Sequence, residues 1–329
     1  MRFEFYSEAI ADTPKLSVDG TVSNSIHFSH WAGNETPSEL KADTSTEIAL
    51  NLVTSPDRSA LTKGIELVTN NHFDTDGVLS VWTVLNGERA LQYRELLIDA
   101  AEAGDFSEYS SKDGVCVSLT IQGYDQAFPN EDSVSPLARS AAKETITDDA
   151  RAYELVLPQV ESLLENVAAY EPLWRDGWNR VYAGMKSFES AKSRVQELGA
   201  TGVSLITLAQ DLFGGNGFNP TKDMVPFTAI AHYAKGELFV VSIPSSNGWF
   251  YRIDYPYYSW AETVVRPPVK RRDLSAVVES LNRRERNSDG RWQTDDRELT
   301  SAIKFLDDNK GLAVSGLMPE EVVSEFGDQ

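Results

Sequence analysis

One cysteine, Cys116, stands in a chain of 329 residues, so an intramolecular disulfide and any zinc cluster built on cysteine are excluded. It falls in the apolar run Val115 to Ile121 and reads as a small core residue. Positive charge is scarce as well: 30 Lys and Arg stand against 50 Asp and Glu, a net of −20. Such a surface repels phosphate backbones and argues against long nucleic acid or an anionic membrane as partner. It leaves room for a small phosphorylated or otherwise anionic ligand, because a bound cation reverses the local sign. No window approaches the roughly 20 apolar residues of a spanning helix. The opening MRFEFYSEAIADTPKL lacks the basic start and apolar stretch of a signal peptide, so a cytoplasmic protein is expected.

With 41% apolar and 24% charged residues, what remains is an ordinary globular composition. At roughly 100 to 200 residues per domain, the length predicts two domains. Residues 1–150 hold 25 acidic and 10 basic residues, a net of −15, so the acidity lies mainly in the first half. Short apolar runs alternate there with helical patterns: strands at Val22 to Ser29, Gly64 to Asn71 and Val115 to Ile121, helices at Thr46 to Val53, Val78 to Leu85 and Leu91 to Gly104. That alternation predicts an α/β fold with a largely parallel sheet over residues 1–140. Helical periodicity dominates Pro136 to Leu198, broken by Pro158 and Pro172, and marks residues 141–200 as a helical bridge. Residues 201–329 read as an α+β domain with an antiparallel meander over Val203 to Leu208, Pro226 to His232, Glu237 to Ile243 and Trp249 to Ile253. Helices follow near Leu274 to Arg286 and Glu298 to Asp307, with a last short one in MPEEVVSEF.

The most informative stretch is Asn70-Asn71-His72-Phe73-Asp74-Thr75-Asp76-Gly77, set between an apolar strand and the helical pattern VLSVWTVL. In an extended chain alternate residues share a side, so His72, Asp74 and Asp76 point one way. They would then meet at the carboxyl end of a strand, where open α/β sheets bind ligands. Two carboxylates that close need a cation or a proton between them, and a His-Asp-Asp set suits Mn²⁺, Fe²⁺ or Zn²⁺. The plainer alternative is that Asp76 or Thr75 caps the next helix and Asp74 sits in a solvated turn. Upstream, Ile26-His27-Phe28-Ser29-His30-Trp31-Ala32-Gly33-Asn34 places two more histidines at a strand end. Thr44 and Glu47 fit a capping box, which leaves Asp43 free to face a site. His27 faces away from His30 and reads as structural.

HFDTDGVLSVWTVL resembles the first motif of the DHH phosphoesterase superfamily, in which an Asp-rich strand end runs into a helix and supplies metal ligands. FSHWAGN followed by DTSTEIALNLV resembles that superfamily's Asp-His-His strand end and the Ser/Thr-rich turn after it. Ser29 stands where the motif has Asp, Trp31 where it has its second His, and the segment precedes HFDTDG instead of following it. The resemblance therefore implies a permuted or degenerate relative, with His30 the best-matched position. The whole chain also resembles an uncharacterised bacterial family carrying HWxGNxTP and NHFDTDG segments.

Residues 266–291 form a locally basic run, and Arg266, Arg271 and Arg272, together with Arg252, are candidates to bind an anionic substrate by bidentate contacts. A solvated face laced with ion pairs explains the same run. Gly214-Gly215-Asn216-Gly217 lacks the partners of a phosphate-binding loop and reads as a turn, and His232 reads as a strand residue. Two functions are expected to compete. One is a metal-dependent phosphoesterase in which His72, Asp74 and Asp76, with His30 and Asp43, hold divalent cations, Mn²⁺ first and Mg²⁺, Fe²⁺ or Zn²⁺ as alternatives. Its substrate would be small and phosphorylated, or a short nucleotide. The other is a non-catalytic binding or regulatory protein on the same scaffold.

Overall fold

The computed structural model describes residues 1–124, 135–142, 146, 148–295 and 299–327. The fold is α/β, and the chain divides into two compact units. The first takes in the described residues of Met1–Tyr124, Pro129–Asn179 and Trp260–Pro268, the second those of Arg180–Ser259 and Val269–Gln329.

Four parallel strands form the sheet of the first unit: β1 (Arg2–Phe3), β2 (Lys15–Val18), β3 (Ser25–Phe28) and β4 (Leu67–Thr69), in the order β1-β4-β2-β3. Leu16 of β2 lies opposite Ile26 on one side and Val68 on the other. Every residue of β2 and β4 is buried, as expected of parallel strands covered on both faces. Strands β3 and β4 fall at expected strands, whereas β2 is unexpected, its KLSV carrying a lysine in a central strand.

Helices α1 (Ser45–Thr54), α2 (Arg58–Leu61), α3 (Thr75–Asn86), α4 (Arg94–Asp105) and α5 (Lys112–Ile121) follow the strands. Three of them open on side-chain caps: Thr44 accepts from the Glu47 amide, Asp74 from Gly77 and Ser111 from Gly114. Helix α1 packs on α3, and α4 on both α3 and α5. Val115 to Ile121, expected as a strand, is the body of α5. That run is buried on every side, Cys116 included, and a short run with no solvent face has no period to tell strand from helix. Further helices are α6 (Pro136–Ala142), α7 (Asp149–Val156), α8 (Val160–Glu165) and α9 (Glu171–Glu189), within which the division between the units falls.

The second unit holds a six-stranded mixed sheet. Its elements are β5 (Arg194–Leu198), β6 (Val203–Thr207), α10 (Phe227–Tyr233), β7 (Leu238–Ser245), β8 (Gly248–Asp254), α11 (Ser275–Arg284), β9 (Arg291–Thr294), β10 (Ser301–Leu306) and α12 (Pro319–Ser324). Strand order is β5-β6-β7-β8-β10-β9, with β6 and β7 parallel and every other pair antiparallel. The expected meander is thus corrected at one step: Pro226 to His232 is not a strand but the crossover helix α10 that a parallel β6–β7 pair requires. His232 accordingly sits on a helix. Arg194–Leu198 is a strand where helix was expected, and its exposed Arg, Gln and Glu mark it as the sheet's edge. Ser301–Leu306 is also a strand and not a helix, wholly buried between β8 and β9; Glu298, where that helix was expected to begin, lies outside the described residues. Leu205, Val240, Ile253, Trp292 and Phe305 belong to the core between this sheet and α11 and α12. Among the described residues, no helix is long and apolar enough to cross a membrane.

Lys15 is fully buried, and its ammonium donates to the carbonyls of Ile10 (3.0 Å), Ala11 (2.8 Å) and Thr13 (2.9 Å). It thereby ties the loop before β2 onto the strand that leads to the site described next. Lys15→Met strips those buried acceptors of their donor and should lower stability by about 2–4 kcal/mol, read from urea unfolding. A loss under about 1 kcal/mol would show that the amine is dispensable.

Candidate metal centre

Three parallel strands end side by side, and each delivers a functional residue from the loop at its carboxyl end. After β2 comes Asp19, after β3 come Ser29 and His30, and after β4 come His72 and Asp74, with Asp76 in the first turn of α3. Asp105, the last residue of α4, completes the group.

Asp19 has a φ of 65°, a left-handed conformation unusual for a residue with a side chain. It is over-determined locally. Its amide donates to Phe28 O (3.0 Å), the Ser29 hydroxyl donates to its carbonyl, and the Ser45 hydroxyl donates to Oδ1 (2.9 Å). A Cβ on the next residue, Gly20, would stand 2.1 Å from Asn71 Oδ1 and 2.5 Å from Asn70 Oδ1, so a side chain there would displace both asparagines. Asn70 Oδ1 accepts the Gly20 amide at 3.1 Å and locks the β2 turn to the β4 turn. Asp76 is fully buried and accepts the first amides of α1, from Ser45 and Thr46, both at 2.7 Å. The positive end of that helix therefore faces its carboxylate. Asp74 spends Oδ1 on capping α3 (Gly77 amide, 2.7 Å) and turns Oδ2 toward His72.

Two sets of ligand atoms result, and they share Asp19. In the first, His30 Nε2 lies 3.1 Å from Asp105 Oδ2, 3.4 Å from Asp19 Oδ1 and 3.7 Å from Asp76 Oδ2. In the second, His72 Nε2 lies 2.8 Å from Asp19 Oδ2 and 3.0 Å from Asp74 Oδ2. Ligands about 2.1 Å from one ion stand roughly 3.0 Å apart in an octahedral shell and roughly 3.4 Å apart in a tetrahedral one. The observed separations fall around those edges. His30 Nε2, His72 Nε2 and Asp19 Oδ2 are buried, and the ion-pair contacts within the cluster are the contacts they make. Each imidazole is oriented through its other nitrogen: His30 Nδ1 donates to Asp43 O (2.7 Å) and His72 Nδ1 to Asn71 Oδ1 (2.9 Å). This is how metal-binding histidines are usually held, with the Nε2 lone pair presented to the ion.

The electrostatics point the same way. Against burial, which alone would lower it, the charges of Asp74 and Asp19 push His72 up to about 12. His30 is likewise raised, against burial, by Asp105, Asp19 and Asp76. Burial, then the charge of Asp19, push Asp76 up to about 6, and burial with the surrounding carboxylates raises Asp105 well above its ordinary value. Four carboxylates and two imidazoles thus share a site that binds positive charge avidly. Two divalent cations would balance four ionised carboxylates with both imidazoles neutral, whereas two imidazolium protons leave the site at −2.

Of the residues singled out from sequence, His30, His72, Asp74 and Asp76 come together. Asp43 stands one step back: its carboxylate accepts the amides of Val264, Val265 (2.8 Å) and Arg266 (3.0 Å), and only its carbonyl reaches the site, through His30. Arg266 belongs to the first unit and is engaged by Asp43, Glu102 and Glu108. The other candidate arginines lie in the second unit. Arg252 pairs with Asp254 (3.1 Å), Arg272 donates to Thr201 O (2.7 Å), and Arg271 donates to Leu299 O. Asp19 and Asp105 were missed by sequence reasoning. The Asp-Gly after KLSV would have revealed Asp19 had β2 been recognised, whereas Asp105 carries no local signal.

The class these observations define is an α/β unit with an acid–histidine cluster, able to hold metal ions, at the carboxyl edge of a parallel sheet. The chain belongs to a family of unknown function (DUF6687), whose model matches residues 1–316 and so takes in every member of the cluster. No curated protein matches it.

Mn²⁺ added to protein stripped with chelator should stabilise it by about 2.7 kcal/mol at a concentration 100 times the Kd. The gain should shrink as pH falls, because the ion competes with protons for the two imidazoles. Asp105→Asn removes a buried carboxylate crowded by three others, so it should leave metal-free stability equal or higher while cutting the Mn²⁺-dependent gain. Calorimetry with and without chelator reads both effects, and an undiminished gain in this variant would remove Asp105 from the ligand set.

Proposed function

We propose that the first unit is a metal-dependent phosphoesterase of the DHH-like kind, acting on a small phosphorylated or short-nucleotide substrate. The observation that carries this reading is the division of Asp19: Oδ1 faces His30 and Oδ2 faces His72, the arrangement of a carboxylate bridging two cations. Imidazole and carboxylate in this ratio suit Mn²⁺, Fe²⁺ or Zn²⁺, with Mn²⁺ first and Mg²⁺ least suited to the histidines. Bound divalent cations would supply an acidified water as nucleophile and positive charge against the phosphoryl oxygens.

The chain's own residues divide the work. His30 and Asp76 are buried and Asp105 nearly so, which makes their set the resident, water-excluded side. The side chains of His72 and Asp74 keep 30% and 26% exposure, so substrate reaches the centre from that side. Asn70 and Gly20 fix the two turns against each other and set the distance from Asp19 to His72. The likeness of HFDTDG to the first DHH motif supports the phosphoester assignment, with ligands arriving in a different chain order and with Ser29 and Trp31 replacing two motif residues. The surplus of acids over bases favours small substrates over long nucleic acid.

A second reading is a metal centre that binds without turnover, and it is favoured by the complete burial of Asp19, His30 and Asp76. Hydrolysis of bis(p-nitrophenyl) phosphate and of short dinucleotides under Mn²⁺ decides between them. The phosphoesterase reading expects metal-dependent hydrolysis that falls at least about 100-fold in Asp74→Ala. Stoichiometric Mn²⁺ binding with no turnover of any phosphoester would contradict it and leave the binding role.

A further inference from the structure

We propose that Arg266 is a positioning residue for the metal centre, holding His30 and Asp105 together by bridging the residue that orients the first to the helix end that delivers the second. The proposal rests on the reading that the His30 set takes a cation.

Arg266 lies in Trp260–Pro268, a segment of the first unit that is remote in sequence from the rest of it. The segment grips His30 in three ways. The Glu262 amide donates to His30 O (2.7 Å), and the Trp260 ring packs edge-on against the imidazole, 4.9 Å between centroids. The third grip is indirect. Successive amides of Val264, Val265 and Arg266 converge on the Asp43 carboxylate, and Arg266 Nη1 adds a fourth bond at 2.7 Å. Held in this way, Asp43 turns its carbonyl to His30 Nδ1, which decides which imidazole nitrogen carries the proton and where Nε2 points.

The remaining guanidinium donors reach the other half of the pair. Nη2 donates to Glu102 Oε1 (2.7 Å), Nε to Glu108 Oε1 (3.0 Å), and the group lies over the Phe106 ring, 4.9 Å from its centroid. Glu102, Phe106 and Glu108 flank Asp105 on both sides in sequence, so one planar cation fixes the end of α4 from which Asp105 reaches His30 at 3.1 Å. Only Arg offers three donor directions in one rigid plane, and Lys, a point charge, cannot bridge three carboxylates at fixed angles. The use of Arg266 is therefore structural support of the buried ligand pair; with its donors occupied by Asp43, Glu102 and Glu108, it is poorly placed to bind substrate.

The test uses the full chain as wild type and Arg266→Gln, with Arg266→Lys as the milder variant should the first fold poorly. Histidine-selective ¹⁵N NMR of chelated protein reads the ring proton on His30 Nδ1 without any metal, and titration followed by elemental analysis reads Mn²⁺ uptake. The proposal expects a slowly exchanging His30 Nδ1 proton in wild type that is lost or exchanges rapidly in the variant. It also expects at least a tenfold weaker uptake of one Mn²⁺ of two, the His72 set being unaffected. An unchanged ring proton together with wild-type uptake of both ions, whatever the fall in Tm, would overturn it. If wild type takes up no Mn²⁺, the metal reading itself fails, while the ring proton still decides whether Arg266 orients His30.

Discussion

Asp19 is the constraint on which the rest of the first unit turns. Its carboxylate is fully buried and lies within 3.4 Å of two imidazoles. A buried charge of this kind must be balanced, and the surrounding structure supplies the balance in layers. His72 at 2.8 Å and the Ser45 hydroxyl at 2.9 Å lie closest, then His30 at 3.4 Å, then the N-terminus of α1 acting on the adjacent Asp76. The left-handed backbone at Asp19 costs of order 1 kcal/mol or more, a strain typical of functional sites, and it aims the carboxylate between the two histidines. A side chain at Gly20 or Gly77 would displace Asn70, and at Gly77 the Tyr153 hydroxyl as well.

The net charge of −20 takes on a specific meaning in this light. The four clustered aspartates contribute to it but are not part of a generally repulsive surface: three of them are buried or nearly so, and they are stable together only if cations or protons stand among them. The two ligand sets differ in exposure: the side chains of the His30 set are buried or nearly so, while those of His72 and Asp74 are partly open. The basic run late in the chain divides as well. Arg266 serves the first unit, while Arg252, Arg271 and Arg272 make local contacts inside the second.

Much of this was legible in the sequence wherever one residue type at one spacing had a single physical consequence. HFDTDG after an apolar strand placed His72, Asp74 and Asp76 at one sheet edge, but they do not all point one way: His72 and Asp74 share one ligand set, while Asp76, already in the first turn of α3, joins His30 in the other. Asp74 turned out to be cap and ligand candidate at once, since its two oxygens face different ways. Asp43 was misjudged because a capping box says which residues begin a helix and nothing about a segment more than 200 residues away that occupies the free carboxylate. Asp105 was invisible for a similar reason: its position depends on α4 packing against α3 and on Arg266, both long-range facts. The strand–helix errors at Val115–Ile121, Pro226–His232 and Ser301–Leu306 share one cause. Each is a short run; Val115–Ile121 and Ser301–Leu306 are buried on all sides, so no solvent face imposes a period, and Pro226–His232 is too short for its half-buried face to separate a period of two from one of 3.6.

In the proposed reading Asp19 would serve both cation sets, and anomalous diffraction at the manganese edge from crystals grown with Mn²⁺ decides whether it does. Two anomalous peaks about 3.5–4 Å apart, one beside His30 and one beside His72 with Asp19 between them, are the predicted result. A single peak away from Asp19, or none at saturating Mn²⁺, would contradict it.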